Sequence, residues 1–189
     1  MTSLQTSGAA RQQSGFTLIE LIIVVAIGAL IAAGAALYFR TGSNDAKAQT
    51  FSEELPRVIV KIKARYPTGV FTGVTCGGLA SDGIFDGGSL VVNGVGPAAT
   101  ISHPLGDGQL MTCAPVSVGS GTDNGVALTL VGVPTDLCKA FLQNVSKVQG
   151  RISANAVVVK NFNDQGAVAG AGANCEAAAT VPIAIVATR

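Results

Sequence analysis

The first long apolar stretch of the chain covers residues 16–39, and Glu20 is the only acid or base within it. As an α-helix, this stretch would be about 36 Å long, which is enough to cross the hydrocarbon core of a bilayer. A charge inside such a segment is expensive in lipid, so Glu20 is expected to have a partner. The pattern therefore predicts a membrane-spanning helix with one functional acid.

A second apolar pattern follows the first and has helical spacing. Its members form one stripe: Phe51, Leu55, Val58, Ile59, Ile62 and Tyr66. Glu53, Arg57 and Lys61 lie four residues apart on the polar side, which favours an exposed helix surface. Pro56 is expected to bend the helix. The two patterns fit either one long helix over residues 16–66 or two helices separated at the Gly-Ser-Asn cluster of residues 42–44.

From residue 67 onward the chain has few charges, and short apolar runs alternate with turn residues. We predict strands at residues 89–92, 109–118, 126–133, 153–160 and 181–188, with a hairpin turn at residues 161–166. A helix is predicted between the third and fourth strands, capped by Thr135 or Asp136 and closed by Gly150. Its apolar face consists of Cys138, Phe141, Leu142, Val145 and Val148.

The polar leader before the apolar stretch, residues 1–15, contains one base, Arg11, and ends in Gly15. In an ordinary secretory signal the cleavage site follows the apolar region, so that the apolar part is removed. Here the small residue precedes it. Cleavage after Gly15 would therefore leave the apolar helix on the mature protein.

The residues at this junction, Gly15, Phe16 and the run from Thr17 to Glu20, resemble the N-terminal motif of the type IV pilin superfamily. The resemblance implies cleavage between Gly15 and Phe16 by a prepilin peptidase, N-methylation of Phe16, and self-assembly into a helical homopolymer. It also implies a bacterial inner-membrane location before assembly, a pilus assembly machinery as partner, and an extracellular pilus filament as the final location.

A physical argument for Glu20 agrees with this resemblance. After cleavage Phe16 carries a charged amine, and an acid and an amine that pair in an apolar environment largely offset each other's cost. In a staggered bundle of helices, the amine of one subunit would meet Glu20 of its neighbour, and Glu20 would set the assembly register. The alternative is that Glu20 only reaches toward the lipid headgroups near the helix end.

Four cysteines, Cys76, Cys113, Cys138 and Cys175, all lie beyond the apolar helix. Their spacing does not match a zinc site, and an exported head favours disulfides. Three pairings are possible from the sequence, and we favour Cys76 with Cys113 and Cys138 with Cys175. The second pair resembles the cysteine-bounded loop of pilin heads, and the segment around Cys138 looks like the type IVb group.

The expected fold class is α+β: a long N-terminal helix, half membrane-spanning and half amphipathic, packed on a small antiparallel β-sheet head with an inserted helix and disulfides. The expected domains are a leader at residues 1–15, the helix at 16–66 with its transmembrane and assembly part at 16–39, and the head at 67–189. Phe16 resembles the type IVa group, whereas the longer leader and larger head favour type IVb.

Composition adds little that points to another class of function. The net charge is +1, 12% of the residues are charged, and His103 is the only histidine. We expect no metal site, cofactor, catalytic residue or dedicated nucleic-acid site; Lys61, Lys63 and Arg65 are interpreted as a solvated helix face. Asp82, Asp86, Gly94 and Gly96 are interpreted as turn residues. The sequence favours a major pilin, and the alternative is a minor pilin or a type II secretion pseudopilin.

Overall fold

The computed structural model describes residues 17–106, 108–145, 148, 150–162, 164 and 171–188. The chain divides into two compact units, residues 1–40 and 41–189. Helix α1 runs over Leu18–Arg65, so the cluster at residues 42–44 does not end it and Pro56 lies inside it. In the first unit, every side chain described between Thr17 and Phe39 is exposed.

The second unit is an antiparallel seven-stranded sheet with short helices around it. In chain order its elements after α1 are α2 (Cys76–Ser81), β1 (Val91–Asn93), a 3₁₀ turn (Gly96–Ala98), β2 (Thr100–Ser102), β3 (Leu110–Val116), β4 (Gly125–Pro134), α3 (Thr135–Asn144), β5 (Arg151–Ala154), β6 (Val157–Lys160), α4 (Ala171–Cys175) and β7 (Thr180–Thr188). The strand order is β1-β2-β3-β4-β7-β5-β6. The expected α+β fold class is confirmed.

The apolar stripe of α1 supplies one wall of the head's core. Phe51, Leu55 and Ile62 are completely buried, and the ring centroids of Phe51 and Phe141 of α3 lie 5.7 Å apart. The opposite wall comes from alternating inward residues of the central strands β4 and β7, among them Leu128, Leu130, Ile183 and Ile185. The period-two pattern of these strands and the helical period of α1 therefore meet in a single core.

The central pair β4–β7 contains one irregularity. Leu130 pairs with Ile183, but the next pair is Val133 with Val181, so the register shifts between them. Gly132 lies in this β-bulge at a φ of +72°, a conformation that suits glycine. The bulge takes the Val131 carbonyl out of the regular ladder.

Several strand predictions need correction. The strand predicted at residues 153–160 is two strands, because Asn155 and Ala156 adopt φ values of 50° and 62° and form a tight hairpin turn between β5 and β6. The hairpin predicted at residues 161–166 lies partly outside the described residues; within it, the Asn161 N–H donates to the Asp164 carboxylate at 2.8 Å. Strand β2 and helices α2 and α4 were not predicted, since each is only three to six residues long.

The boundaries of the inserted helix also differ from the prediction. Pro134 occupies the N-cap position, where no side chain caps the helix, and Thr135 is its first residue. The Thr135 hydroxyl instead donates to the Ala178 carbonyl at 3.2 Å. Helix α3 ends at Asn144, before Gly150. The five residues predicted as its apolar face are all completely buried, but only Cys138, Phe141 and Leu142 belong to the helix, and Val145 and Val148 follow its end.

Candidate functional site

The start of α1 carries the acid that the sequence singled out. Glu20 lies in the first helical turn, and its backbone N–H donates to the Thr17 hydroxyl at 3.3 Å and to the Thr17 carbonyl at 3.1 Å. This is one half of a capping box, in which a Thr at the N-cap is followed three residues later by Glu. The spacing signals such a cap in the sequence, and our sequence analysis missed it.

The Glu20 carboxylate makes no hydrogen bond or ion pair with any residue that the structure describes. A negative charge near a helix N-terminus is favoured by the helix dipole, so Glu20 stabilises the start of its own helix. The predicted cleavage residues, Gly15 and Phe16, lie outside the described residues.

The apolar segment on both sides of Glu20, residues 18–39, is exposed on all its faces. Leu18, Leu30 and Phe39 are 77%, 75% and 73% exposed. An 18-residue window of α1 has a mean hydropathy of 2.6, so by length and composition this helix is able to cross a membrane. A helix that is apolar on all sides requires lipid or other helices around it, because water would hydrate it at a high free-energy cost.

Two disulfides tie the head together. Cys76 at the start of α2 is bonded to Cys113 of β3, and Cys138 of α3 is bonded to Cys175 at the end of α4. This is the pairing that the sequence analysis favours among the three possible. Each bond joins residues 37 apart. In the chain-entropy model, a loop of this length raises the free energy of the unfolded state by about 4 kcal/mol.

A salt bridge lies next to the second disulfide. Lys139 Nζ and Glu176 Oε1 are 2.5 Å apart, and the hydrogen bond from this ammonium lowers the pKa of Glu176. Both partners follow a disulfide cysteine directly in the sequence, so the covalent bond already holds their backbones close. The Cys138–Cys175 bond, this ion pair and the Thr135 hydroxyl fasten α3 to the segment that leads into β7.

The polar side of α1 is partly solvated, as the sequence suggested, since Arg57 and Arg65 are exposed and Lys61 is half-buried. These basic residues also bind the turn after α2. Lys61 Nζ donates to the carbonyls of Gly83, Ile84 and Asp86 at 3.2–3.4 Å, and Arg57 donates to the Gly87 carbonyl at 3.2 Å. Arg65 forms an ion pair with Asp82 at 2.9 Å. These three basic residues lie four apart, and they hold the turn after α2 against the helix. Asp82 and Asp86 are confirmed as turn residues.

A buried acid continues this row of contacts. The Glu54 side chain is 7% exposed, and its Oε2 accepts from the backbone N–H and the hydroxyl of Ser89 at 2.7 and 2.5 Å. A side chain on Gly88 would collide with this carboxylate, since an added Cβ would lie 1.6 Å from Oε1. Glu54 follows Phe51 by three residues and precedes Val58 by four. Its position on the apolar stripe was the available signal, and the sequence analysis did not use it.

His103 is buried next to the β-bulge. It is 3% exposed, and its Nε2 lies 2.9 Å from the Val131 carbonyl. Its Nδ1 is buried without a hydrogen-bond partner in the described part of the chain. Burial lowers the pKa of His103, and the hydrogen bond to Val131 partly opposes that effect. His103 therefore occupies a structural position: it satisfies the carbonyl that the bulge releases.

Other sequence candidates have ordinary surroundings. Gly96 begins the 3₁₀ turn between β1 and β2, and the interpretation of the Gly94 and Gly96 segment as a turn is confirmed. Within the described residues, the acidic, histidine and cysteine side chains form no group of three or more that could hold a metal ion.

Comparison with known proteins gives two family matches. Residues 10–36 match the family described as the prokaryotic N-terminal methylation motif, and residues 107–187 match the family described as PilS N terminal. No curated protein matches the sequence at a significant level.

Two solved structures resemble the fold. A type IVb pilin from Salmonella typhi is 19% identical with a TM-score of 0.51, and the match covers 76% of this chain and 97% of that one. TcpA, a type IV pilin from the Vibrio cholerae El Tor biotype, is 15% identical with a TM-score of 0.56, and the match covers 77% of this chain and 99% of that one. The chain thus combines a match to the prokaryotic N-terminal methylation motif with a fold that resembles solved type IV pilins.

Proposed function

We propose that this chain is a type IV pilin and the major subunit of an extracellular pilus. The precursor spans the inner membrane through residues 16–39, a prepilin peptidase cuts between Gly15 and Phe16, and Phe16 becomes N-methylated. The pilus assembly machinery then moves the mature subunit from lipid into a helical homopolymer. The whole N-terminal motif that this sequence of events requires is present at residues 15–20.

The observation that carries the proposal is the Glu20 carboxylate, which has no partner among the described residues and lies in a helix segment whose described side chains are all exposed. Close contact with copies of the same helix would satisfy both features. Copies would cover the apolar side chains, and the new amine of a neighbouring Phe16 would neutralise Glu20. Because the pairing needs one particular axial stagger, it also sets the register of the filament.

Subclass and rank within the superfamily form the finer part of the proposal. The inserted helix α3 with its disulfide to α4, the leader of 15 residues, and the likeness in fold to the Salmonella typhi protein support the type IVb group. The alternative function is that of a minor pilin or a type II secretion pseudopilin, which would use the same N-terminal motif but contribute few copies to a fibre.

The test replaces Glu20 by Ala and by Gln and measures filaments sheared from the producing cells. We expect filament yield to fall at least about tenfold in both variants, because an unpaired amine buried among helices costs several kcal/mol. Glu53→Ala is the matched control, since Glu53 is an exposed acid of the same helix whose carboxylate accepts a hydrogen bond from Gln49. Processed subunit should remain in the membrane fraction. An undiminished filament yield in Glu20→Ala would remove the proposed role of this residue.

Rank is tested separately by mass spectrometry and electron microscopy of the sheared material. A chain that lacks residues 1–15, is methylated at Phe16 and makes up most of the filament would establish a major pilin. Processed protein confined to the membrane fraction would indicate the alternative function.

A further inference from the structure

The head contains an open cavity of about 390 Å³ between α1, the residues before β1, and the loop that follows β2. This volume falls within the range of about 300–1,000 Å³ that is usual for small-molecule sites. The polar side chains described in its lining are those of Lys47, Ser89, Ser102 and His103. All of them belong to the second compact unit, and none has a role in the assembly proposed above.

One basic side chain lies in the described lining of this cavity. Lys47 is the only charged side chain described in the lining, and its ammonium makes no hydrogen bond or ion pair with a described residue. The acid that follows it most closely on the buried side of α1, Glu54, is already bound by Ser89. Lys47 is exposed, and a cation beside a cavity, without a described counter-charge, favours an anion as its partner.

The protonation of the two ring nitrogens of His103 determines which kind of ligand this cavity can bind. A carbonyl can only accept, so the Nε2 that lies beside Val131 carries a proton, and Nδ1 of the neutral ring is an acceptor. That acceptor has no partner among the described residues. An anion with only lone pairs cannot bond to it unless Nδ1 first gains a proton.

We propose that this cavity binds a small oxyanion, of the carboxylate or phosphate class, together with one proton that His103 takes up at Nδ1. The Lys47 ammonium supplies the fixed charge. The Ser102 hydroxyl accepts from Asn93 at 2.8 Å and keeps its own proton to donate. No covalent bond changes: one anion and one proton are taken up, and binding requires the imidazole to shift, because Nδ1 is buried in the structure.

The only histidine of the chain provides a clean reporter for the test. The full mature chain in detergent micelles is titrated with acid while the imidazole resonances of His103 are followed by NMR, first in chloride and then in inorganic phosphate or acetate at equal ionic strength. We expect either oxyanion to raise the pKa of His103 by about one unit, the effect of an opposite charge placed beside it. By linkage, oxyanion affinity should rise about tenfold between the high-pH and low-pH limits.

Lysine substitutions decide whether the effect belongs to this cavity. Lys47→Ala should abolish the shift, and Lys47→Arg should retain it. Lys63→Ala should leave it unchanged, because Lys63 is on the same helix but not in the lining. Thermal unfolding shows that each variant is folded. The proposal fails if phosphate and acetate leave the His103 titration as it is in chloride, or if Lys47→Ala shows the same shift as the unaltered chain.

Discussion

Two parts of the same helix show opposite relations between sequence and environment. Before residue 40, α1 is apolar on all sides and every described side chain is exposed. After residue 47, α1 is apolar on one side only, and that side is buried: Ala48, Phe51, Leu55, Val58, Ile59 and Ile62 are each at most 2% exposed. The second part finds its partners within its own chain. The first part has to find them in lipid or in other copies.

The difference teaches that apolar content alone does not tell which residues stabilise a subunit. Burial in the head contributes to the unfolding free energy of one chain, at about 25 cal/mol per Å² of apolar surface. Exposed apolar surface in the first part contributes instead to membrane insertion and to assembly. Substitutions in the two parts should therefore change different measurable quantities.

The largest expected effect comes from Phe51→Ala. Phe51 is fully buried against Phe141, and truncating a core aromatic side chain to Ala costs about 3–5 kcal/mol because it leaves a cavity. We expect the free energy of unfolding of the mature chain in detergent to fall by that amount, measured by chemical denaturation with disulfides intact.

Leu30→Ala is the matched comparison, since Leu30 lies on the same helix and is 75% exposed. Its unfolding free energy should change by no more than about 0.5 kcal/mol. An equal loss of stability in the two variants would show that the division between the two parts of α1 does not hold for the isolated subunit.

The comparison also explains how far the sequence predicted the fold. The helical period of Phe51 to Ile62 and the alternation in β4 and β7 are local patterns, so they were recognised without knowledge of the partners. Strand β2 and helix α2 are too short to carry a period, and their places depend on contacts with distant residues. The split of the 153–160 strand depends on two residues with positive φ, Asn155 and Ala156, and Ala at such a position gives no turn signal.

A smaller effect is expected from Glu54→Ala, which tests a polar contact of the buried part. Glu54 accepts two hydrogen bonds from Ser89, and its removal leaves a half-buried backbone N–H without an acceptor. We expect a loss of about 1–3 kcal/mol in the unfolding free energy. The neighbouring acid provides the control: Glu53 is exposed, so Glu53→Ala should cost no more than about 0.5 kcal/mol. A Glu54→Ala variant as stable as Glu53→Ala would contradict the importance of this contact.

The candidate sites, like the elements of the fold, were predictable where the signal lies in the local sequence and not where it depends on contacts between distant residues. Glu20 was predictable because an acid in an apolar run is visible in the sequence itself. The bonds of Lys61 to the turn after α2, and of His103 to Val131, join residues 22 or more positions apart. The sequence predicts that a row of basic residues on a helix faces solvent, and it does not show which distant carbonyls these residues contact in the tertiary structure.

The smallest expected effect is the pH dependence that His103 adds to the stability of the head. The pKa of His103 in the folded chain lies below its ordinary value of 6.5, so the unfolded chain takes up the proton first. As the pH falls through about 6.5, stability is lost, and the loss ends once the pH is below the folded-state pKa; above 6.5 this residue contributes no slope. The lowered pKa of Glu176 acts only below its ordinary value of 4.5, so it does not overlap with the onset of this effect.

Unfolding is followed between pH 8 and pH 5 (about three units) in chloride, without phosphate or carboxylate buffers. His103→Gln should remove the slope, because the amide can still donate to Val131 but does not titrate. If His103→Gln shows the same pH dependence of stability, another group causes that dependence, and unfolding in this pH range does not involve protonation of His103.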